Sequence, residues 1–296
     1  MIDLHERLSE FSYGYGVTRE VEDLLADTGI HSVPFLPSLV QEKQLGFDVG
    51  FAKPGVPLLL QFKLGQSLRR FVRTDTSYPA PMLDRPFWRF SVDTSEPNGQ
   101  FETLLAAEAY GAEVYYAAPR FSDWPRYAAA FEAGQVLDGS LLITPSEIRA
   151  ALDAQGAADG PHRIVYDNNR VHVCSRPRRI EEIEPKVLAE KVAKRVRRNE
   201  RSLGSTIKGV FESFFNRSEI RRMAKTGNPE LESDGAVHSL AVRATDDLAH
   251  RERQRRLADF RERAKSEDDA LAAAVGLELW ALGIQLVLAV DSDAKG

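Results

Sequence analysis

Leu58-Leu59-Leu60-Gln61-Phe62-Lys63 constrains this chain more than any other stretch. Three leucines and a phenylalanine within six residues call for a buried strand, yet Gln61 and Lys63 interrupt them two residues apart. Side chains alternate across a strand, so Gln61 and Lys63 share one face while Phe62 turns to the other. A Pro54-Gly55 turn precedes the run. Before the turn stands Gly46-Phe47-Asp48-Val49-Gly50, with an acid at the end of a second apolar stretch. Pairing of the two as neighbouring strands would bring Asp48, Gln61 and Lys63 to one edge of a sheet. A carboxylate, an amide oxygen and an ammonium at one point can hold a divalent cation and a water against a phosphodiester. In that arrangement Asp48 is the main ligand, Gln61 Oε1 and the Phe62 carbonyl complete it, and Lys63 orients the water. The same Asp and Lys could also form a solvent-facing ion pair, which contributes little.

The remaining pattern is that of an α/β protein. Val17 to Asp27 reads as a helix with Val17, Val21, Leu24 and Leu25 on one face, Thr18 as N-cap and Gly29 at its end. Strands are expected at Val33–Val40, Phe47–Lys53 and Pro57–Leu64. Residues 65–100 are irregular except for the strand-like Phe87–Val92. A helix over Phe101–Tyr110 is closed by Gly111 and followed by a buried strand, Ala112–Ala118. Ser122–Ala133 reads as a helix and Ser140–Thr144 as a strand. Arg163–Tyr166 and Arg170–Cys174 pair as a hairpin across Asp167-Asn168-Asn169. A helix, antiparallel strands and a helix–strand crossover together specify an α/β sandwich. Past the linker-like Ser175–Pro185 the pattern turns helical. We therefore expect residues 1–178 to form the α/β domain. Residues 179–296 are then a mostly helical region, ending in a helix–strand unit, that contacts DNA, a partner or a second copy of the chain.

Composition excludes several classes. One cysteine, Cys174, rules out an internal disulfide framework and a thiolate-rich zinc site. The start, MIDLHERLSEF, has no basic segment followed by an apolar run, so a cytoplasmic protein is expected. Leu271 to Val290 is mostly apolar, but it carries Glu278 and Gln285 and is divided by Gly283. It reads as a helix (Asp269–Leu282), a glycine cap and a buried strand (Ile284–Val290). A membrane span would place Glu278 in lipid at a cost of about 2.5 kcal/mol or more. The six histidines show no paired metal-ligand spacing, and no organic-cofactor loop is present.

The net charge is −5, but residues 181–265 hold 20 Lys and Arg against 15 Asp and Glu, so the remainder carries −10. Lys194, Arg195, Arg197 and Arg198 form the densest basic run. Arg69, Arg70 and Arg73 follow Lys63 closely. Either group could grip phosphates or be a solvated face.

The stretch around Asp48 and Lys63 resembles the PD-(D/E)xK nuclease superfamily, and within it the Mrr-type restriction endonucleases. Gly46-Phe47-Asp48-Val49 is similar to that family's Gly-x-Asp-apolar strand, and Leu58 to Lys63 to its three apolar residues followed by Gln-x-Lys. Leu24 to Gly29 resembles the end of its first helix, and Gly111 to Tyr116 its crossover helix end and fourth strand. The resemblance spans roughly residues 17–135. It implies a restriction-endonuclease-like mixed sheet flanked by helices, and Mg²⁺- or Mn²⁺-dependent hydrolysis of DNA with Asp48, Gln61 and Lys63 catalytic or at the metal. It also implies a glutamate on the first helix. That position falls near Thr18, so Glu20 and Glu22 are the candidates. A homodimer and a role in genome defence belong to the same implication. Gln61 and the poor match of the helix glutamate leave room for a catalytically inactive module that keeps the fold and binds nucleic acid or a partner.

Overall fold

The computed structural model describes residues 8–36, 49–73, 78–96, 99–174, 176–198, 201–225 and 250–292, with backbone only for 215–225. The protein is α/β. In order come α1 (Glu10–Asp27), β1 (Ile30–Pro34), β2 (Gly55–Phe62), β3 (Gln66–Leu68), β4 (Phe87–Asp93), α2 (Gln100–Ala109), β5 (Glu113–Pro119), α3 (Trp124–Ala133) and β6 (Ser140–Ile143). They are followed by α4 (Pro145–Asp153), β7 (Pro161–Tyr166), β8 (Val171–Val173), β9 (Arg178–Ile180), α5 (Pro185–Arg198), α6 (Leu203–Lys225), a helix α7 through residues 250–261, α8 (Glu267–Ala281) and β10 (Ile284–Asp291).

Two five-stranded sheets result. The first has the order β1-β10-β2-β5-β6; its β2–β5 pair is parallel and its other pairs antiparallel. The second, β3-β4-β7-β8-β9, is antiparallel throughout. Every position of β2 and β5 is buried, as near-continuous apolar strands require when both faces of a sheet are covered. One face of the first sheet presents Leu59, Tyr116, Leu286 and Leu288 to the second sheet and to helices α2, α6 and α8. The other presents Leu58, Leu60, Phe62 and Val287 to α1 and α5.

Three expectations are corrected. Helix α1 starts a full two turns before Val17, at Glu10. Its N-cap is Ser9, whose Oγ accepts from Ser12 N at 3.0 Å, and Thr18 is buried inside it. Gly14 and Gly16 hid this extension, since glycine disfavours helix interiors. Here Gly14 is needed, because a Cβ on it would come within 2.6 Å of the Phe62 ring. The first expected strand is the shorter Ile30–Pro34, with residues 37–40 outside the described residues. In the expected strand Phe47–Lys53, Phe47 and Asp48 lie outside the described residues, and Val49 to Lys53 form a turn in which Lys53 N donates to Gly50 O at 3.0 Å.

The strand beside β2 is instead β10, with Leu286 opposite Leu59 and Ile284 opposite Gln61. β10 also pairs along its other edge with β1. The 178/179 division thus falls within β9, and a strand from beyond it lies inside the first sheet.

Helix α4 went unread although its start is written in the chain. Thr144 caps it by accepting from Glu147 N at 3.2 Å, and Pro145 occupies its first position. The apolar segment from Leu271 to Val290 is α8, a left-handed Gly283 (φ 72°) and β10. Among the described residues no helix is long and apolar enough to cross a membrane.

Because β10 supplies both neighbours with their hydrogen bonds, a fragment ending at residue 178 should not fold. It is expected to give no cooperative urea transition. In the full chain, Leu288→Ala should lower stability by about 2–5 kcal/mol in the same measurement.

Candidate functional site

The end of β2 where the chain leaves the parallel pair gathers three polar side chains. Gln61 is 1% exposed. Its Nε2 donates to the Phe62 carbonyl at 2.9 Å, while its Oε1 is buried and accepts no hydrogen bond. A buried acceptor without a donor costs about 1–3 kcal/mol. Two residues on, Lys63 N continues the parallel ladder by donating to Ala117 O at 2.9 Å. Its Nζ donates to Gln100 Oε1 at 2.6 Å, and Gln100 Nε2 donates to Leu282 O at 2.6 Å. The first residue of α2 thus ties the lysine to the end of α8. Gly283, which follows Leu282, keeps this corner close. The direction of its missing Cβ runs within 3.9 Å of the side-chain nitrogens of both Gln61 and Gln100.

Electrostatics adds a fourth group. Burial lowers the Lys63 ammonium below its usual range, and the negative charge of Glu10 opposes that shift. Crowding by protein raises the Glu10 carboxyl, and Lys63 opposes the rise. Glu10 belongs to the first turn of α1. The acid on the first helix that senses Lys63 is therefore Glu10. The geometry of α1 explains why. Lys63 lies at the exit of β2, near the start of α1, and Glu20 is ten residues, or about 15 Å, further along the helix. The Glu20 carboxylate instead accepts from Val136 N at 2.9 Å and Leu137 N at 2.7 Å, bracing the segment after α3. The Glu22 carboxyl is raised by burial and by Asp23, with His31 of β1 opposing. Sequence reasoning missed Glu10 because it began the helix at Val17. It missed Gln100 because a single polar residue opening an apolar helix carries no signal of its own.

Asp48 lies outside the described residues. The turn after it places Val49, Gly50 and Lys53 in a shallow groove with His31, Val290, Asp291 and Ser292. That groove is at the Gly55 end of β2, since Val290 pairs with Gly55. The Phe62 ring points to the opposite face from Gln61 and meets Tyr13 edge-on, with centroids 5.9 Å apart. Among the described residues, no three His, Cys, Asp or Glu side chains come together as a metal-holding group.

The basic candidates divide. Arg195 NH1 lies 2.5 Å and Lys191 Nζ 3.2 Å from the carboxylate of Glu113, which is 2% exposed and also accepts from Tyr115 OH at 2.8 Å. These two cations neutralise a buried acid. Arg197 donates to the Thr28 carbonyl and lines a groove with Lys194, Arg198 and Glu190. Arg69, Arg70 and Arg73 are exposed beyond β3, where Arg73 NH1 reaches Tyr78 O at 3.4 Å. No protein-family model matches the chain, and no curated protein or solved structure is significantly similar to it.

Two stability measurements check the site. Gln61→Met removes the orphaned acceptor together with one hydrogen bond, so it should leave stability unchanged or raise it by about 1 kcal/mol in urea unfolding. For Lys63, the unfolded chain binds the proton more tightly than the folded one. Between the lowered folded pKa and the ordinary value of 10.5, stability should rise with pH. Below that interval both states are protonated and the contribution is flat. Lys63→Met should remove this alkaline rise in a pH series of unfolding curves.

Proposed function

We propose that the chain is a metal-dependent phosphodiesterase acting on DNA, with a restriction-endonuclease-like core. The observation that carries the reading is the Gln61 amide oxygen. It is a buried acceptor without a donor, two residues from an amine whose proton affinity burial has lowered. An orphaned buried oxygen fits a hard cation, which takes oxygen ligands and tolerates backbone and amide carbonyls. Glu10 and Gln61 Oε1 would supply oxygens to Mg²⁺ or Mn²⁺ from either side of Lys63. Val49 and Gly50, next to Asp48, lie at the opposite, Gly55 end of β2, so the expected meeting of Asp48 with Gln61 and Lys63 is not kept in this reading. When bound, the cation supplies charge relief at the phosphoryl oxygen and a more acidic water. Lys63 would give or take a proton nearer neutrality than a free lysine, because burial has brought its pKa down. Gln100 fixes the direction of that amine through its own bond to Leu282 O. Glu10 takes the place expected for Glu20 or Glu22 on the grounds of its coupling to Lys63.

A second reading has its own support. Both edges of β2 are already paired, to β10 and β5, and the Lys63 ammonium is engaged by Gln100. A fold kept for binding nucleic acid without hydrolysis would tolerate both features.

Plasmid, linear and single-stranded DNA incubated with Mn²⁺ or Mg²⁺ distinguish the two. Cleavage by the wild type that falls by 10²-fold or more in Glu10→Gln and Lys63→Ala is the expected result. Equal cleavage by wild type and Lys63→Ala would place the activity elsewhere. An absence of cleavage, together with the same metal-induced thermal shift in wild type and Glu10→Gln, would favour the binding module.

A further inference from the structure

The outward face of the second sheet carries arginines that no carboxylate among the described residues neutralises. Cross-strand register aligns Gln66, Arg89, Val165, His172 and Arg179 in one row across all five strands. Ser91 and Arg163 pair in the adjacent row. The inward face of the same strands, with Trp88, Phe90, Ile164 and Tyr166, is part of the core. Arg163 and Arg179 are exposed, and Arg89 donates to Gln66 Oε1 at 2.6 Å. Among the described residues none of the three lies within ion-pair distance of an acid, whereas Arg120, Arg149, Arg170 and Arg253 each have one.

The chain as a whole is negative, so a face with three unpaired guanidiniums is a local arrangement and not a consequence of composition. Acids on this face are confined to its ends. Asp93 accepts from Ser95, and Asp167 is buried by the amides of Asp84, Asn169 and Arg170. A second observation is independent of charge. His172, in the middle of the row, is 9% exposed, and its Nδ1 is buried without a partner.

We infer that this face binds the phosphate backbone of a nucleic-acid strand. Strand spacing sets Arg89 and Arg179 about 14 Å apart across three strands, and Arg163 lies on the diagonal from Arg89 at about 7–8 Å. Guanidiniums at these intervals can each take a phosphate through paired N–H groups. Gln66 and Ser91 add neutral hydrogen-bonding groups between them, over the buried His172 ring. Arg69 and Arg70 extend the charge past the edge strand β3. A lipid surface would call for apolar side chains to insert, and a protein partner for an apolar centre; on this face Val165 and Phe87 are both buried. The inference names the surface that holds the strand for the DNA-directed reading, and rests on that reading.

Fluorescence anisotropy with a 5′-labelled 20-nucleotide single strand, in EDTA and at 50–200 mM NaCl, tests it without metal or cleavage. The variant Arg89→Gln/Arg163→Gln/Arg179→Gln should bind about tenfold more weakly. Its log–log salt slope should be less steep by about two, at roughly 0.7 per phosphate contact. Lys194→Gln/Arg198→Gln should bind within twofold of wild type. Arg163→Gln alone, which removes an exposed side chain, should weaken binding by a measurable fraction if the triple variant does not fold. Undiminished binding by the triple and single variants overturns the inference, as does a larger loss in Lys194→Gln/Arg198→Gln or no binding by wild type. Binding that persists in Lys63→Ala while cleavage is absent from the wild type would overturn the catalytic reading and leave this one standing.

Discussion

The architecture depends on the C-terminal strand. β10 lies between β1 and β2 and satisfies the backbone groups of both. Without it the first sheet would be a lone edge strand and a three-stranded remnant, each with an open row of amides and carbonyls. The polar corner at Gln61 also requires it. Gly283 and Leu282, which meet Gln61 and Gln100, are held where they are because α8 turns directly into β10. Residues more than 200 positions apart in sequence are thereby made neighbours, so the corner forms only once the whole chain has folded.

That corner has the character of a site more than of a packing solution. An apolar side chain at position 61 would avoid an unpaired acceptor, and an apolar one at 63 would avoid desolvating an amine. The fold keeps both polar groups and steadies one of them through Gln100. Buried polar groups kept at such a cost cluster where functional chemistry is found. Glu113 shows the contrast. It is equally buried, but Lys191, Arg195 and Tyr115 together meet its demand for partners, and nothing is left over for a ligand.

Much of the fold was legible because its signals are local. The β4 strand, the α2–β5 crossover, the β7–β8 hairpin and the α8–Gly283–β10 unit are each written in periodicity and turn residues within about twenty positions. Which strands lie side by side was not legible. A Pro-Gly pair after an apolar stretch reads as a hairpin, but the neighbour of β2 is supplied from the far end of the chain, and sequence proximity says nothing about that. The site was legible in the same proportion. Gln61 and Lys63 stand together by strand alternation, but the expected third member does not join them, since Val49 and Gly50, next to Asp48, lie at the Gly55 end of β2. Glu10 was hidden behind two glycines that normally end a helix, and Gln100 acts only through a carbonyl of α8.

Charge placement carries the same lesson. The run Lys194 to Arg198 is conspicuous in sequence because its members are adjacent, yet Arg195 is committed to a buried acid and Arg197 to a backbone carbonyl. Arg89, Arg163 and Arg179 are scattered over ninety positions and belong to three different strands. Antiparallel pairing brings them onto one surface, and the alternation that sends Trp88 and Phe90 inward sends Arg89 outward. A basic run therefore describes composition, whereas a basic face is a property of register. Only the second kind sets guanidiniums at intervals fixed by strand spacing.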